Sequence, residues 1–197
     1  MEGECSDSLS GDGVYIEIKK LERNSRRIRS IIAIDASLDT VWDILTDYEK
    51  LADFIPGLAV SKLVEKKDNF ALLYQIGQQN LPFGLKFNAK GVLECYEKDL
   101  ERFPFRKKRD IEFKMIDGDF QVFEGKWSIQ QFNKGYDSLL GQEFQTTLSY
   151  LVDVKPKLWL PVRLVEGRLR KDIETNLLCI REEAQKLIRK SQHDQQC

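Results

Sequence analysis

Asp35-Ala36-Ser37-Leu38-Asp39-Thr40-Val41-Trp42-Asp43-Ile44-Leu45-Thr46-Asp47-Tyr48-Glu49-Lys50-Leu51-Ala52-Asp53-Phe54-Ile55-Pro56-Gly57-Leu58 is the stretch where the chain twice changes its structural period. Ser37 stands where a hydroxyl can accept a hydrogen bond from a free amide of a helix's first turn, which predicts an N-cap. Leu38, Val41, Trp42 and Leu45 follow at steps of three and four, the spacing of one helical face. Tyr48, Leu51 and Phe54 or Ile55 share the face of a second, shorter helix over about 48–54. Pro56-Gly57 stops it, since proline cannot donate its amide and glycine lets the chain turn. From Leu58 onward the apolar period falls to two, the period of a strand.

Working outward, Val14-Tyr15-Ile16-Glu17-Ile18 alternates as a strand, and Arg27 to Ile34 gives a second, with Ile28 and its even-numbered neighbours facing one way. Downstream, strands are expected near 58–66, 69–79, 83–97, 107–117, 120–132 and 142–154. They are separated by turn-forming residues at Lys67-Asp68-Asn69, Asn80-Leu81-Pro82, Pro104, Asp117-Gly118-Asp119 and Gly135 to Gly141. Consecutive strands of this kind build an antiparallel sheet. Pro156 and Pro161 bracket Lys157-Leu158-Trp159-Leu160, after which a helix over about 162–190 is predicted. Its apolar stripe is Val162, Val165, Leu169, Ile173, Leu177, Ile180, Ala184 and Leu187. The expected organisation is a flexible acidic leader over 1–13, one domain over 14–190 and a polar tail over 191–197.

A sheet of this many strands twists and curls, and its concave face needs an apolar cover. The C-terminal helix has the one apolar stripe long enough. Alternation identifies the inward face: Phe83, Leu85, Phe87, Ala89 and Leu93 on one strand, then Ile111, Phe113 and Met115. Phe123, Gly125, Trp127 and Ile129 follow on the next, and Phe144, Leu148, Tyr150 and Val152 on the last. Gly91 and Gly125 mark bends or bulges. Such a pattern suits a packed core and a lined cavity alike.

Composition narrows the function. Hydrophobic residues are 42% and charged residues 32% of the 197, which supports a folded core rather than a disordered chain. The net charge of -1 lacks the basic excess of nucleic-acid binders. Basic clusters at 26–29, 106–109 and 168–171 are each followed closely by acidic residues, as on a solvated face. Cys5, Cys95, Cys179 and Cys197 form no CxxC pair, so no metal or redox site is expected and a reducing compartment is the default. No apolar run approaches the ~20 residues of a membrane span, and 1–13 lacks the features of a secretory signal or transit peptide.

The opening stretch has a small residue before the helix, Val41-Trp42 within it, an Asp47-Tyr48 step and a Phe54-Ile55-Pro56-Gly57 exit into a strand. With these features it resembles the START-like polyketide cyclase/dehydrase and lipid-transport superfamily, and within it the coenzyme Q-binding branch. Gly118-Asp119-Phe120, Phe123-Glu124-Gly125-Lys126-Trp127 and Pro161 before the last helix are similar to plant plastid and cyanobacterial members. The resemblance spans about 26–190. It implies an α+β helix-grip (START/SRPBCC-like) fold, a curved antiparallel sheet wrapped around a long C-terminal helix with a ligand cavity between them.

Carried onto this sequence, the resemblance implies a cavity lined by Phe87, Phe113, Phe123, Trp127, Phe144 and Leu148 from the sheet and by Val165, Leu169 and Ile173 from the helix. Tyr74, Arg109 and Tyr150 are its expected polar contacts. Phe54, Ile55 and Leu58 would flank an entrance opposite Leu158, Trp159 and Leu160. The function implied is binding, and transport or chaperoning, of a lipid, prenylquinone or other isoprenoid, without a cofactor. Transient membrane-surface contact and a chloroplast location are further expectations from the resemblance, with the cytoplasm as the alternative location and nucleic acid not expected as a partner.

Two other classes compete. Aromatase/cyclase chemistry needs acids and bases in the cavity, and the single histidine, His193, lies in the polar tail. No Ser-His-Asp set, Walker loop or HExxH motif is present, so catalysis would fall to tyrosine or arginine. The other class is an RNA-, ribosome- or protein-interaction module using Arg106-Lys107-Lys108-Arg109.

Overall fold

The computed structural model describes residues 5–9, 11, 13–80, 86–133, 144–157 and 162–194, with side chains for 11, 13–78, 88–133, 144–157, 166 and 169–193. Among the described residues ten strands and three helices follow in the order β1 (Cys5–Leu9), β2 (Val14–Glu22), β3 (Ser25–Ile34), α1 (Leu38–Thr46), α2 (Leu51–Phe54), β4 (Leu58–Lys67), β5 (Phe70–Asn80), β6 (Lys86–Glu97), β7 (Glu101–Phe103), β8 (Arg106–Gly118), β9 (Phe120–Asn133), β10 (Phe144–Pro156) and α3 (Val162–Asp194). Nine strands form one antiparallel sheet ordered β1-β2-β3-β10-β9-β8-β6-β5-β4, and β7 pairs with β8 off that path. This is the expected α+β architecture, an open curved sheet closed by a long C-terminal helix.

Local chemistry explains the elements. Ser37 Oγ accepts a hydrogen bond from the Thr40 amide at 3.1 Å and caps α1. Leu38, Val41, Trp42, Ile44 and Leu45 are buried along that helix. The second helix is shorter than the sequence predicts, a single turn from Leu51, with Tyr48 to Lys50 in a turn. In β2 the buried residues alternate as Val14, Ile16 and Ile18, and in β3 as Ile28, Ser30, Ile32 and Ile34. Residues 5–9, expected in a leader, form a ladder with β2 from Cys5↔Lys19 to Leu9↔Tyr15.

Two glycines let the sheet curl. At Gly125 a Cβ would lie 1.9 Å from the Leu151 carbonyl oxygen, so β9 and β10 approach there more closely than any side chain permits. Gly118 has φ +145, a conformation that favours glycine, and a Cβ there would meet the Lys90 carbonyl oxygen at 2.3 Å. Beside it the β6–β8 register shifts between Val92 and Leu93, a bulge that turns the sheet.

Helix α3 crosses the concave face. Ile173, Leu177, Ile180 and Ala184 are buried against the sheet and α1, as the apolar stripe predicts. Leu187 is 38% exposed, and Ile188 instead packs partly against the core, because the helix is leaving the sheet by that point. Arg26, 5% exposed, pairs with Glu166 at 2.9 Å and fastens the first half of α3 to β3.

Candidate functional site

A cavity of about 290 Å³ lies between the sheet and α3. β10 ends, β9 begins, β8 ends and β5 ends at the same end of the sheet, where Pro156 pairs with Phe120 and Leu58 with Gly77. The cavity occupies this half. Its far end is closed by a packed core that includes the fully buried Leu148, Ile129 and Ile180.

The sheet wall is aromatic. Phe113, Phe123, Trp127 and Tyr150 border the cavity together. Tyr150 stacks on Trp127 with ring centroids 4.2 Å apart and on Phe113 at 5.8 Å, and Phe113 meets Phe123 at 5.6 Å. Offset ring pairs of this kind hold one another's orientation. Leu169 and Ile173 face them from α3, and Ile55 and Leu58 border the cavity near the strand ends.

Other residues expected in the cavity lie elsewhere among the described residues. Leu148 is fully buried in the closed core, and the half-buried Phe144 is further along β10, because this strand passes the core before reaching the cavity at Tyr150. Tyr74 sits on the opposite face of β5, since Leu73 and Gln75 point inward. The adjacent apolar pair Leu72-Leu73 made that parity ambiguous. Arg109 lies beyond the cavity at the start of β8: its guanidinium covers the Trp42 ring at 3.5 Å, and its Nε donates to the Lys98 carbonyl at 3.0 Å. Phe54 is half-buried against the core without bordering the cavity. The side chains of Phe87, Val165, Leu158, Trp159 and Leu160 lie outside the described residues.

Polar groups interrupt the apolar lining in a few places. Asp172 and Asn176 face the cavity from α3, and Gln75 and Gln78 from β5. Gln75 Nε2 donates to Ser61 Oγ at 3.0 Å. Asp172 Oδ2 is buried without a hydrogen-bond partner. On the helical wheel Asn176 and Asp172 flank the arc drawn by Leu169, Ile173 and Leu177 on its Leu169 side, a position where polar residues are ordinary, so the sequence pattern does not single them out.

Tyr150 and Cys95 on the sheet wall are held neutral. Burial pushes the Tyr150 phenol above its ordinary range, so it remains an O–H donor. Burial, with the nearby Glu97 carboxylate, pushes the Cys95 thiol up to about 12, which leaves it un-ionised and a poor nucleophile. Tyr48 donates to Glu97 Oε1 at 2.8 Å, and Lys66 pairs with the same oxygen. No histidine, lysine or arginine is among the described residues that border the cavity, and no group of acidic, histidine and cysteine side chains suited to a metal occurs among the described residues.

A curved sheet gripping a long helix around an apolar cavity defines a helix-grip binding domain. The chain belongs to the polyketide cyclase / dehydrase and lipid transport family, whose model matches residues 34–181. Solved structures share the fold at low identity. A STAR-related lipid transfer protein from Xanthomonas axonopodis is 15% identical with a TM-score of 0.70, over 92% of this chain and 98% of that one. Human StAR-related lipid transfer protein 5 is 10% identical with a TM-score of 0.69, over 93% of this chain and 87% of that one. The Zhui aromatase/cyclase from Streptomyces is 15% identical with a TM-score of 0.59, over 83% and 96%. No curated protein sequence matches the chain.

Proposed function

We propose that this protein binds one apolar small molecule, a lipid, prenylquinone or other isoprenoid, in the cavity beneath α3 and carries or shelters it. The observation that carries this reading is the aromatic and aliphatic lining around about 290 Å³ of space. Small-molecule sites run about 300–1,000 Å³, and even a dry apolar cavity of about 150 Å³ holds a benzene-sized guest. Burying apolar ligand surface there is worth about 25 cal/mol per Å². The prenylquinone class and a plastid location are supported by the resemblance of 35–58 and 118–127. Contact with a membrane surface through Leu158-Trp159-Leu160 is part of the same proposal, and liposome binding unchanged by Trp159→Glu would remove it.

Native mass spectrometry of the purified protein tests the reading. The expected result is a retained apolar ligand, or uptake of a short-chain prenylquinone at one per protein. A protein that is empty as purified and takes up no prenylquinone, sterol or fatty alcohol would contradict it.

An aromatase/cyclase role shares the same cavity and is favoured by the polyketide cyclase / dehydrase part of the family description and by the likeness to the Zhui structure. Proton transfer would then rest on Asp172 and Tyr150. The interaction-module reading is weakened by the packing of its basic segment. Lys108 bridges Glu101 and Asp110, Arg106 lies over the Phe103 ring, and Arg109 lies over Trp42.

A further inference from the structure

We infer that the cavity selects ligands ending in a hydrogen-bond donor, a hydroxyl in particular, through Asp172 on α3. This deepens the carrier reading and rests on it.

The inference starts from an unmet acceptor. Asp172 borders the cavity, and its Oδ2 is buried with no hydrogen-bond partner. A carboxylate offers acceptor lone pairs only. Buried polar atoms in folded proteins are otherwise nearly always partnered, and an exception calls for an explanation such as a ligand group. Asp172 stands at the edge of the apolar arc of Leu169, Ile173 and Leu177, where an apolar side chain would leave no acceptor unmet. On the facing wall, Tyr150 presents a phenol O–H in the same cavity. The described lining therefore contains an acceptor on the helix and a donor on the sheet, within walls that are otherwise mostly apolar.

These groups distinguish classes of ligand. A guest with a hydroxyl at Asp172 supplies the missing hydrogen bond. A ketone, ether or ester brings only acceptors and leaves the carboxylate stranded, which binding sites penalise heavily. Among prenylquinones, this favours the hydroquinone over the quinone. Among simple lipids, it favours the free alcohol or sterol over its ether or ester.

The test compares 2-naphthol with 2-methoxynaphthalene, a hydroxyl donor and its capped analogue, by calorimetric titration into the full chain. Wild-type protein is expected to bind 2-naphthol at least about tenfold more tightly, the loss typical of a stranded buried acceptor. In Asp172→Leu, which is close to aspartate in shape and removes the acceptor, the preference should shrink to within about threefold. Asp172→Asn, which keeps an acceptor oxygen, should fall between them. Equal binding of the two probes by wild type, or a preference that survives Asp172→Leu, overturns the inference and leaves the carrier reading standing. Failure of the wild type to bind either probe, together with failure to take up a prenylquinone, overturns both.

Discussion

Trp127 and Tyr150 are directly paired across the β9–β10 ladder, and their rings stack at 4.2 Å with 29° between planes, both on the cavity wall. The indole is therefore a built-in reporter of what fills the cavity. Replacing water beside it with an apolar guest should shift its emission to the blue. Trp127→Phe should abolish that spectral response while keeping affinity within about tenfold, since most of the apolar wall remains. An unchanged emission shift in Trp127→Phe would place the guest elsewhere.

The cavity and the closed core should respond in opposite ways to substitution of α3. Leu169 borders the cavity, whereas Ile180 is fully buried beyond it. Leu169→Trp puts bulk into existing space, so ligand uptake should fall at least about tenfold with a stability change below about 1.5 kcal/mol. Ile180→Ala leaves a void in packed surroundings and should cost about 2–5 kcal/mol. Chemical denaturation and ligand titration on both variants check the contrast.

Gly125 should be intolerant of any side chain. A Cβ would sit 1.9 Å from the Leu151 carbonyl oxygen, a backbone atom that cannot move aside alone. Gly125→Ala should cost about 3 kcal/mol or more and open the β9–β10 ladder, read by denaturation and by amide exchange at Leu151 and Val152.

Much of this arrangement was legible in the sequence. Ser37, the Leu38–Leu45 spacing and Pro56-Gly57 mark the helices and their end, and strict alternation placed Phe113, Phe123, Trp127 and Tyr150 on one face. Alternation reports a face but not a position along the strand. That is why Leu148 and Phe144, on the same parity as Tyr150, lie outside the cavity. Tyr74 was misplaced because Leu72 and Leu73 give two readings of one strand. Arg109 shares the inward parity, yet its partners, Trp42 and the Lys98 carbonyl, come from distant segments that no local pattern reveals. Asp172 and Asn176 flank the apolar stripe of α3, where polar residues are expected, so the sequence did not mark them.

Stability should fall in acid through Asp110. This carboxyl is 6% exposed, accepts from Ser128 Oγ at 2.6 Å and lies 3.0 Å from Lys108 Nζ and 3.4 Å from Lys126 Nζ. Burial opposes its ionisation, but the Ser128 hydroxyl and the two ammonium groups outweigh it and hold the carboxyl below its ordinary range. A depressed folded-state value means the contribution is complete above the unfolded value, about 4, and is lost as pH falls through the lower folded value. Asp110→Asn should therefore weaken the protein at pH 7 and flatten its loss of stability below about pH 4. Denaturation midpoints from pH 2 to pH 7 on both proteins check this, and parallel curves would refute it.

The central claim is that sheet and helix leave a hollow between them, and xenon diffraction addresses it most directly. Crystals pressurised with xenon should show the gas bound among Phe113, Trp127, Tyr150 and Ile173, because apolar cavities take up xenon. Electron density showing those side chains in mutual contact, with no xenon and no guest beneath Leu169, would contradict the account.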